Sequence, residues 1–565
     1  MIFSTIRGLW MAVALMLLCV NAYSWQGEPH ECPKPDKAPG IYFSKKAYVP
    51  APLPKYEDLK SLLPSPIIDD NPLWVETYWK AWQLASKNFY EPRPGSGLVS
   101  QFIDAAFSEN IFLWDSGFMT MFCNFGSPLV PGISTLDNFY ATQHEDGEIC
   151  REAVRNTGVC YDLWINHECK PLSSYFGWQD EGYKEKPGGW DVTYKDRSVP
   201  TPNPILKLDA LDHPILAWAE LESYRVTGDK DRLQIVWDPL VHYYQALQKY
   251  LRQGNGLYIT DWASMDNSPR NPYLMGGGTG VDTSSEMVLF ARDLSQIAGI
   301  LGKQQQASQY THEADALAKI INRRLWDKKR KFYFDLTVDN KQVPVKTVAA
   351  YWTLLAHIAS PSQAKSLVAE LENPKTFGRP NAVPTLSADE PLYNPAGGYW
   401  RGSVWAPTTT MVIRGLEAYG YRDLANKIAL QHLNLVANVH QKTGTIWENY
   451  SPETTEPGKP AGKDFVGWSG IGPIMYLLEY GLGLKPDAQH NELSWQLAPG
   501  GRRGCDRFRF NGHVLSLLAE PLPDNKNKFR ITVESDGDFT LKVSAGEVVE
   551  AFQVKKGKQE ITSGQ

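Results

Sequence analysis

At 565 residues the chain exceeds one ordinary domain, so a large domain with a smaller companion is expected. The formal net charge of −6 comes without a basic stripe, which argues against nucleic acid as the main partner. Aromatics make up 12% of the residues, with 19 Trp, a surplus compatible with a carbohydrate site but equally with a core. An indole offers sugar rings an apolar plate beside a polar N–H.

Arg7 precedes an apolar run from Leu9 to Val20 that is short for a bilayer, and small residues follow at Ala22 and Ser24. That layout predicts a secretory signal peptide over 1–22 and a periplasmic or secreted protein after cleavage. No later stretch is long and apolar enough for a membrane span. Apart from Cys19, six cysteines remain (Cys32, Cys123, Cys150, Cys160, Cys169 and Cys505), an even number that fits disulfides in an oxidising compartment. The cluster Cys150, Cys160, Cys169 predicts one local bridge. His-Glu-Cys occurs twice, ending at Cys32 and Cys169, but lacks paired ligand spacing, so no metal and no cofactor are expected.

Residues 23–70 are proline-rich and read as an N-terminal arm. From 71 to 486 the signal is helical. Met287, Phe290, Ala291, Leu294, Ala298 and Leu301 lie on one helical face and Gly302 follows as a stop. Asp238-Pro239 reads as a helix start, with Leu240, Tyr244, Leu247 and Leu251 on one face. Further helices are expected near 72–90, 212–227, 305–325, 344–358, 403–419, 422–438 and 468–482. Periodicity alone would also fit an α-solenoid, but no short repeat is visible, which favours a toroid of paired helices. A loop insertion at 161–208, carrying Trp178 and Trp190, is either a rim over a site or decoration. From 487 to 565, short alternating segments such as Val514–Leu518 and Phe529–Val533 predict a small C-terminal antiparallel β domain.

Three aromatic-rich segments carry candidate carboxylates. In Phe112-Leu113-Trp114-Asp115-Ser116-Gly117-Phe118, Asp115 is either a helix N-cap or a hydrogen-bond acceptor for sugar hydroxyls. In Asp261-Trp262-Ala263-Ser264-Met265-Asp266-Asn267-Ser268-Pro269, Asp266 is either a turn residue or a proton donor with a raised pKa. In Gly444-Thr445-Ile446-Trp447-Glu448-Asn449-Tyr450-Ser451, Glu448 lies between Trp447 and Tyr450, as in a wall rather than open surface. Asn449-Tyr450-Ser451 also matches a glycosylation acceptor, read here as chance or as the mark of a non-glycosylating host.

With Gly398-Tyr399-Trp400-Arg401-Gly402, Trp405 and Gly467-Trp468-Ser469-Gly470 added, five motifs stand in one order over roughly 110–480. In that order the chain resembles the trehalase-like (α/α)6-toroid glycosidases: glycoside hydrolase family 63 and its bacterial mannosylglycerate-hydrolase-type relatives, with trehalases of family 37 further off. The resemblance implies a mainly α fold, an (α/α)6 toroid. It implies that Asp266 is the general acid and Glu448 the general base of an inverting hydrolase. Trp114 and Asp115 would contact the sugar before the scissile bond, with Trp400, Arg401, Trp405 and Trp468 lining the pocket. Inversion leaves room for water between carboxyls roughly 6.5–9.5 Å apart.

The stretch before Trp114 is too short for the N-terminal β-sandwich of larger family 63 members, and Arg401 stands where trehalases carry an aspartate. The expected substrate is therefore an α-linked glucoside or mannoside other than trehalose, in a small glycoside or oligosaccharide. Two other readings stay open: a polysaccharide lyase on the same toroid, and a non-catalytic carbohydrate-binding protein.

Overall fold

The computed structural model describes residues 47–160, 164, 211–260, 265–274, 277–523, 525–546 and 548–563. The expected signal peptide at 1–22, the arm as far as 46, nearly all of the insertion at 161–208 and the Asp261–Ser264 part of one motif lie outside the described residues.

Among the described residues the body is built mainly from twelve helices, beside the short turns of helix Tyr56–Lys60 and Asn271–Leu274: α1 (Pro72–Ala85), α2 (Leu113–Cys123), α3 (Asp137–Ala141), α4 (Leu216–Thr227), α5 (Lys230–Leu251), α6 (Val281–Ile300), α7 (Gln304–Arg324), α8 (Trp352–Leu355), α9 (Pro361–Glu372), α10 (Ala406–Ala418), α11 (Arg422–Thr443) and α12 (Ile471–Gly481). Six of them close a ring: α2 packs on α4, α4 on α6, α6 on α8, α8 on α10, α10 on α12, and α12 returns to α2. The others lie outside it, with α1 and α11 against α12, α5 and α7 against α6, and the turn leading into α3 against α2. This is the (α/α)6 toroid, not an open solenoid. Inner helices bury nearly their whole surface; all eleven residues of α2 and all eleven of α12 are buried. Outer helices keep one wet face, which is why α5 and α7 show the clearest amphipathic pattern.

Local chemistry sets the helix ends. Ser360 and Gln363 form a reciprocal capping box on α9, with Pro361 in the first turn. Gly302, with φ +78°, follows α6 as expected. The helix start expected at Asp238-Pro239 is corrected: α5 begins nine residues earlier, where the Asp229 side chain accepts from Arg232 N at 2.9 Å. Pro239 sits inside the helix and removes one N–H, but the buried face from Leu233 to Leu251 runs through it.

The C-terminal strands are β2 (Leu484–Asp487), β3 (Glu492–Leu497), β4 (Arg503–Phe510), β5 (His513–Leu522), β6 (Asn525–Ser535), β7 (Phe539–Ala545), β8 (Val548–Val554) and β9 (Gly557–Ser563), joined by β1 (Ser65–Ile68) from the arm. They form two sheets, ordered β1-β4-β5-β6-β9 and β8-β7-β3-β2. Two expectations are refined. The β3–β7 pair is parallel while the rest are antiparallel, and the arm contributes an edge strand through Ser65↔Asp506 to Ile68↔Arg503. The cluster expectation is met by a Cys150–Cys160 bridge, while Cys123 and Cys505 are buried thiols.

The β domain seats on the C-terminal ends of the inner helices, where Asn511 N donates to Val226 O at 2.9 Å. There Arg414 of α10 meets Glu222 of α4 at 2.9 Å and Glu479 of α12 at 2.7 Å, and Arg225 joins the same two carboxylates. Cations at helix C-termini also oppose the negative ends of the helix dipoles. Removing Arg414 would leave two buried carboxylates sharing the single guanidinium of Arg225. Arg414→Met is therefore expected to destabilise the toroid by about 3–5 kcal/mol in urea unfolding followed by Trp fluorescence. A change under about 1 kcal/mol would mean that the network is solvated and carries little of the closure.

Candidate active site

At the opposite end the inner helices present their N-termini, and the segments entering them carry the candidate residues. Phe112 precedes α2, which places Trp114 and Asp115 in its first turn. Asp115 is thus not the N-cap; it is a buried carboxylate whose Oδ1 has no hydrogen-bond partner. The turn Tyr399–Arg401 and Trp405 lead into α10, Glu448 follows α11, and Trp468 leads into α12.

The aromatic residues meet as a wall. Trp400 and Trp405 stack with centroids 4.4 Å apart, Trp405 lies 5.6 Å from Trp468, and Trp114 lies 6.3 Å from Trp400 and 6.2 Å from Trp468. Arg401 is half-buried beside them, its backbone carbonyl accepting from Asn394 N at 2.8 Å. All eight residues expected at the site thus fall at this end of the ring.

The wall is tied to the carboxylates by hydrogen bonds that span distant parts of the chain. Asn267, next to Asp266, clamps the turn from both sides: its Oδ1 accepts from Trp400 N at 2.9 Å and its Nδ2 donates to Gly398 O at 3.1 Å. The clamped turn holds Tyr399 at φ +63°, a conformation costing a non-glycine residue roughly 1–2 kcal/mol. That turn carries the Tyr399 hydroxyl to Glu448, where it donates to Oε1 at 3.1 Å. Gly462 N donates to Glu448 Oε2 at 2.8 Å, and Trp468 Nε1 donates to the Glu448 backbone carbonyl at 3.1 Å. Glu448 is 9% exposed, with both carboxylate oxygens oriented by donors.

Burial among these rings sets the protonation states. Asp266 is pushed up to about 6 by burial; the Arg151 guanidinium and Trp400 indole pull it down, and the Glu448 and Asp212 carboxylates push it up. Asp115 is raised well above the usual range by burial and then by Asp212, with Asp266 adding to it. Glu448 is also raised by burial, against the stabilising donors Gly462 and Tyr399. Each of these carboxyls lies where a neighbouring carboxylate or aromatic wall makes ionisation costly.

Four participants escaped the sequence reading. Arg151 is carried by the strand pair Asn110–Phe112 and Glu152–Val154 beside the Cys150–Cys160 bridge, its carbonyl accepting from Leu113 N at 2.8 Å. Asp212 accepts from Trp114 N at 3.3 Å. His213 packs 5.9 Å from Trp114, pairs with Glu286 and is raised to about 9 by the carboxylates around it, against its burial. Tyr399 stands inside a quoted motif, but only the turn geometry aims it. Asp212-His213-Pro214 reads as ordinary turn chemistry, and a lone arginine beside a cysteine gives no signal. Among the described residues no group of three or more His, Cys, Asp and Glu side chains is arranged to hold a metal ion.

Closed helix ring, convergent N-termini and carboxyls walled by tryptophan define the scaffold of a toroid glycosidase. Residues 199–469 match the model of the mannosylglycerate hydrolase MGH1-like glycoside hydrolase domain, and the match supports a glycosidase of the glycoside hydrolase family 63 type. An uncharacterised protein of Borreliella burgdorferi is 31% identical over 265 residues, covering 45% of this chain and 55% of its own length. A probable mannosyl-oligosaccharide glucosidase of Schizosaccharomyces pombe is 27% identical over 225 residues, covering 37% of this chain and 28% of its own. The chain thus spans about half or less of these relatives. The family 63 mannosylglycerate hydrolase of Thermus thermophilus, solved in complex with glucose, shares the fold, with a TM-score of 0.51 at 18% identity over 70% of this chain and 98% of that one.

The Asn267 clamp yields a direct prediction. Asn267→Ala leaves Trp400 N buried without its partner, while Gly398 O keeps only Arg401 N, a loss of about 1–3 kcal/mol in chemical unfolding. The same variant is expected to alter the Trp emission spectrum of the native state; an unchanged spectrum and unchanged stability would show that the turn holds without it.

Proposed function

We propose that this protein hydrolyses an α-glycosidic bond to glucose or mannose with inversion, in a small glycoside or oligosaccharide outside the cytoplasm. One observation carries the reading: two buried carboxyls set differently within one aromatic pocket, with Glu448 held by Tyr399 and Gly462 and its charge making ionisation of Asp266 costly. Asp266 has the raised pKa of a proton donor, while Glu448 has two donors holding its carboxylate form in one orientation.

In the reaction, Asp266 gives its proton to the departing glycosidic oxygen as the bond from that oxygen to the anomeric carbon breaks. Glu448 takes a proton from a water molecule whose oxygen attacks the same carbon from the opposite face. Tyr399 and Gly462 fix the Glu448 carboxylate so that its remaining lone pairs serve that water. Charge left on Glu448 keeps Asp266 protonated until the leaving oxygen needs the proton. Asp115 Oδ1 and Trp114 Nε1 are buried polar atoms without partners, suited to the hydroxyls of the sugar being cut. Trp400, Trp405 and Trp468 exclude water from the bond, and Arg401 lines the rim. The segment at 1–22 and the Cys150–Cys160 bridge support export, since disulfides persist in oxidising compartments.

The pH dependence follows from the sign of the Asp266 shift. Activity needs Asp266 protonated, so kcat/KM is expected to fall as pH rises past about 6. A pH–rate profile flat from 5 to 8 would remove Asp266 as the acid.

The two roles separate with glycosyl fluorides, whose leaving group needs no proton. Asp266→Asn is expected to lower kcat/KM on α-glycosides by about 10²–10⁴-fold, with a much smaller loss on the matching α-fluoride. Glu448→Gln is expected to lose both. Equal losses on both substrates in Asp266→Asn would contradict the assignment.

A further inference from the structure

Phe107 is 53% exposed, and among the described residues no other phenylalanine or tryptophan is as open to solvent. It is not a stray ring. One face stacks on Phe465 with centroids 5.9 Å apart and planes within 10°. Phe112 lies 5.1 Å away, and Trp468 lies 6.2 Å away. Phe465 in turn lies 5.1 Å from Trp468, whose indole donates to the Glu448 carbonyl. The exposed ring is therefore the outer end of an aromatic row that begins at the proposed base.

The backbone on both sides is shaped to present it. Ala106, just before Phe107, is held at φ +74°, and Asp464, just before Phe465, at φ +54°. Two non-glycine residues in the left-handed region, one ahead of each stacked ring, are a cost that the surroundings must hold in place. They do so. Asp104 accepts from Ala105 N at 2.7 Å and pairs with Arg155 at 2.9 Å, while Asp464 accepts from Thr445 and Phe465 N donates to Ile446 O at 3.0 Å. The two loops also touch closely, since a Cβ on Gly467 would meet Ala105 O at 2.8 Å. An aromatic ring kept exposed on a rigid mount beside a site offers its face to a ligand.

On the hydrolase reading above, we propose that Phe107 is a stacking platform for a second sugar ring of the substrate. The preferred substrate is then a disaccharide or longer α-linked oligosaccharide, not a glycoside of a small polar aglycone. A pyranose lays its CH face on the free side of Phe107 while the first sugar fills the pocket at Trp114 and Trp400.

The test compares α-linked gluco- and manno-disaccharides with α-glucosyl and α-mannosyl fluoride, which offer no second ring. In Phe107→Ala, the ratio of kcat/KM on the best disaccharide to that on its fluoride is expected to fall about tenfold, mostly through KM. Phe107→Trp is expected to restore the ratio. A ratio that stays within about twofold of wild type overturns the platform, as does a wild-type enzyme that turns over fluoride and no disaccharide. Absence of turnover on every substrate overturns the hydrolase reading itself, and the platform with it.

Discussion

Six inner helices running the same way round a closed ring must bring their N-termini, and the segments entering them, to one end. That constraint organises the molecule. Residues as far apart as Trp114, Asp266, Trp400, Glu448 and Trp468 become neighbours because each belongs to a segment at that end. The positive ends of several helix dipoles gather there, a setting that favours carboxylates and hydroxyl-rich ligands. At the other end the same geometry gathers C-termini, which Arg225 and Arg414 neutralise and the β domain covers.

Desolvation then divides the labour among the carboxyls. Burial and neighbouring carboxylates make ionisation of Asp266 and Asp115 costly, while Glu448 has Tyr399 and Gly462 to hold its charge. Asn267 is the link between the two halves of this arrangement. It sits next to Asp266, clamps the strained turn, and so aims Tyr399 at Glu448.

Much of this was legible in the chain because it is local. The apolar stripe of Met287 to Leu301 announces α6, and the alternating strands announce the β domain. What is local in appearance can also mislead: Asp238-Pro239 has the look of a helix start, yet the capping bond lies at Asp229 and the buried face carries the helix through the proline. The site carboxylates stood out only because tryptophans flank them and their motifs follow a family order. Arg151, Asp212, His213 and the strand β1 stayed invisible for one reason. Their meaning comes from contacts across tens to hundreds of residues, such as Asp212 with Trp114 or Ser65 with Asp506, and no window of sequence contains both partners.

The central claim is that Asp266 and Glu448 act as acid and base on opposite faces of one sugar, with water as the nucleophile. Proton NMR of the first-formed product from an α-glycoside tests this most directly. The account predicts β-configured sugar appearing first, followed by slow mutarotation. Initial release of the α anomer would contradict it, because Glu448 would then have to attack the sugar itself.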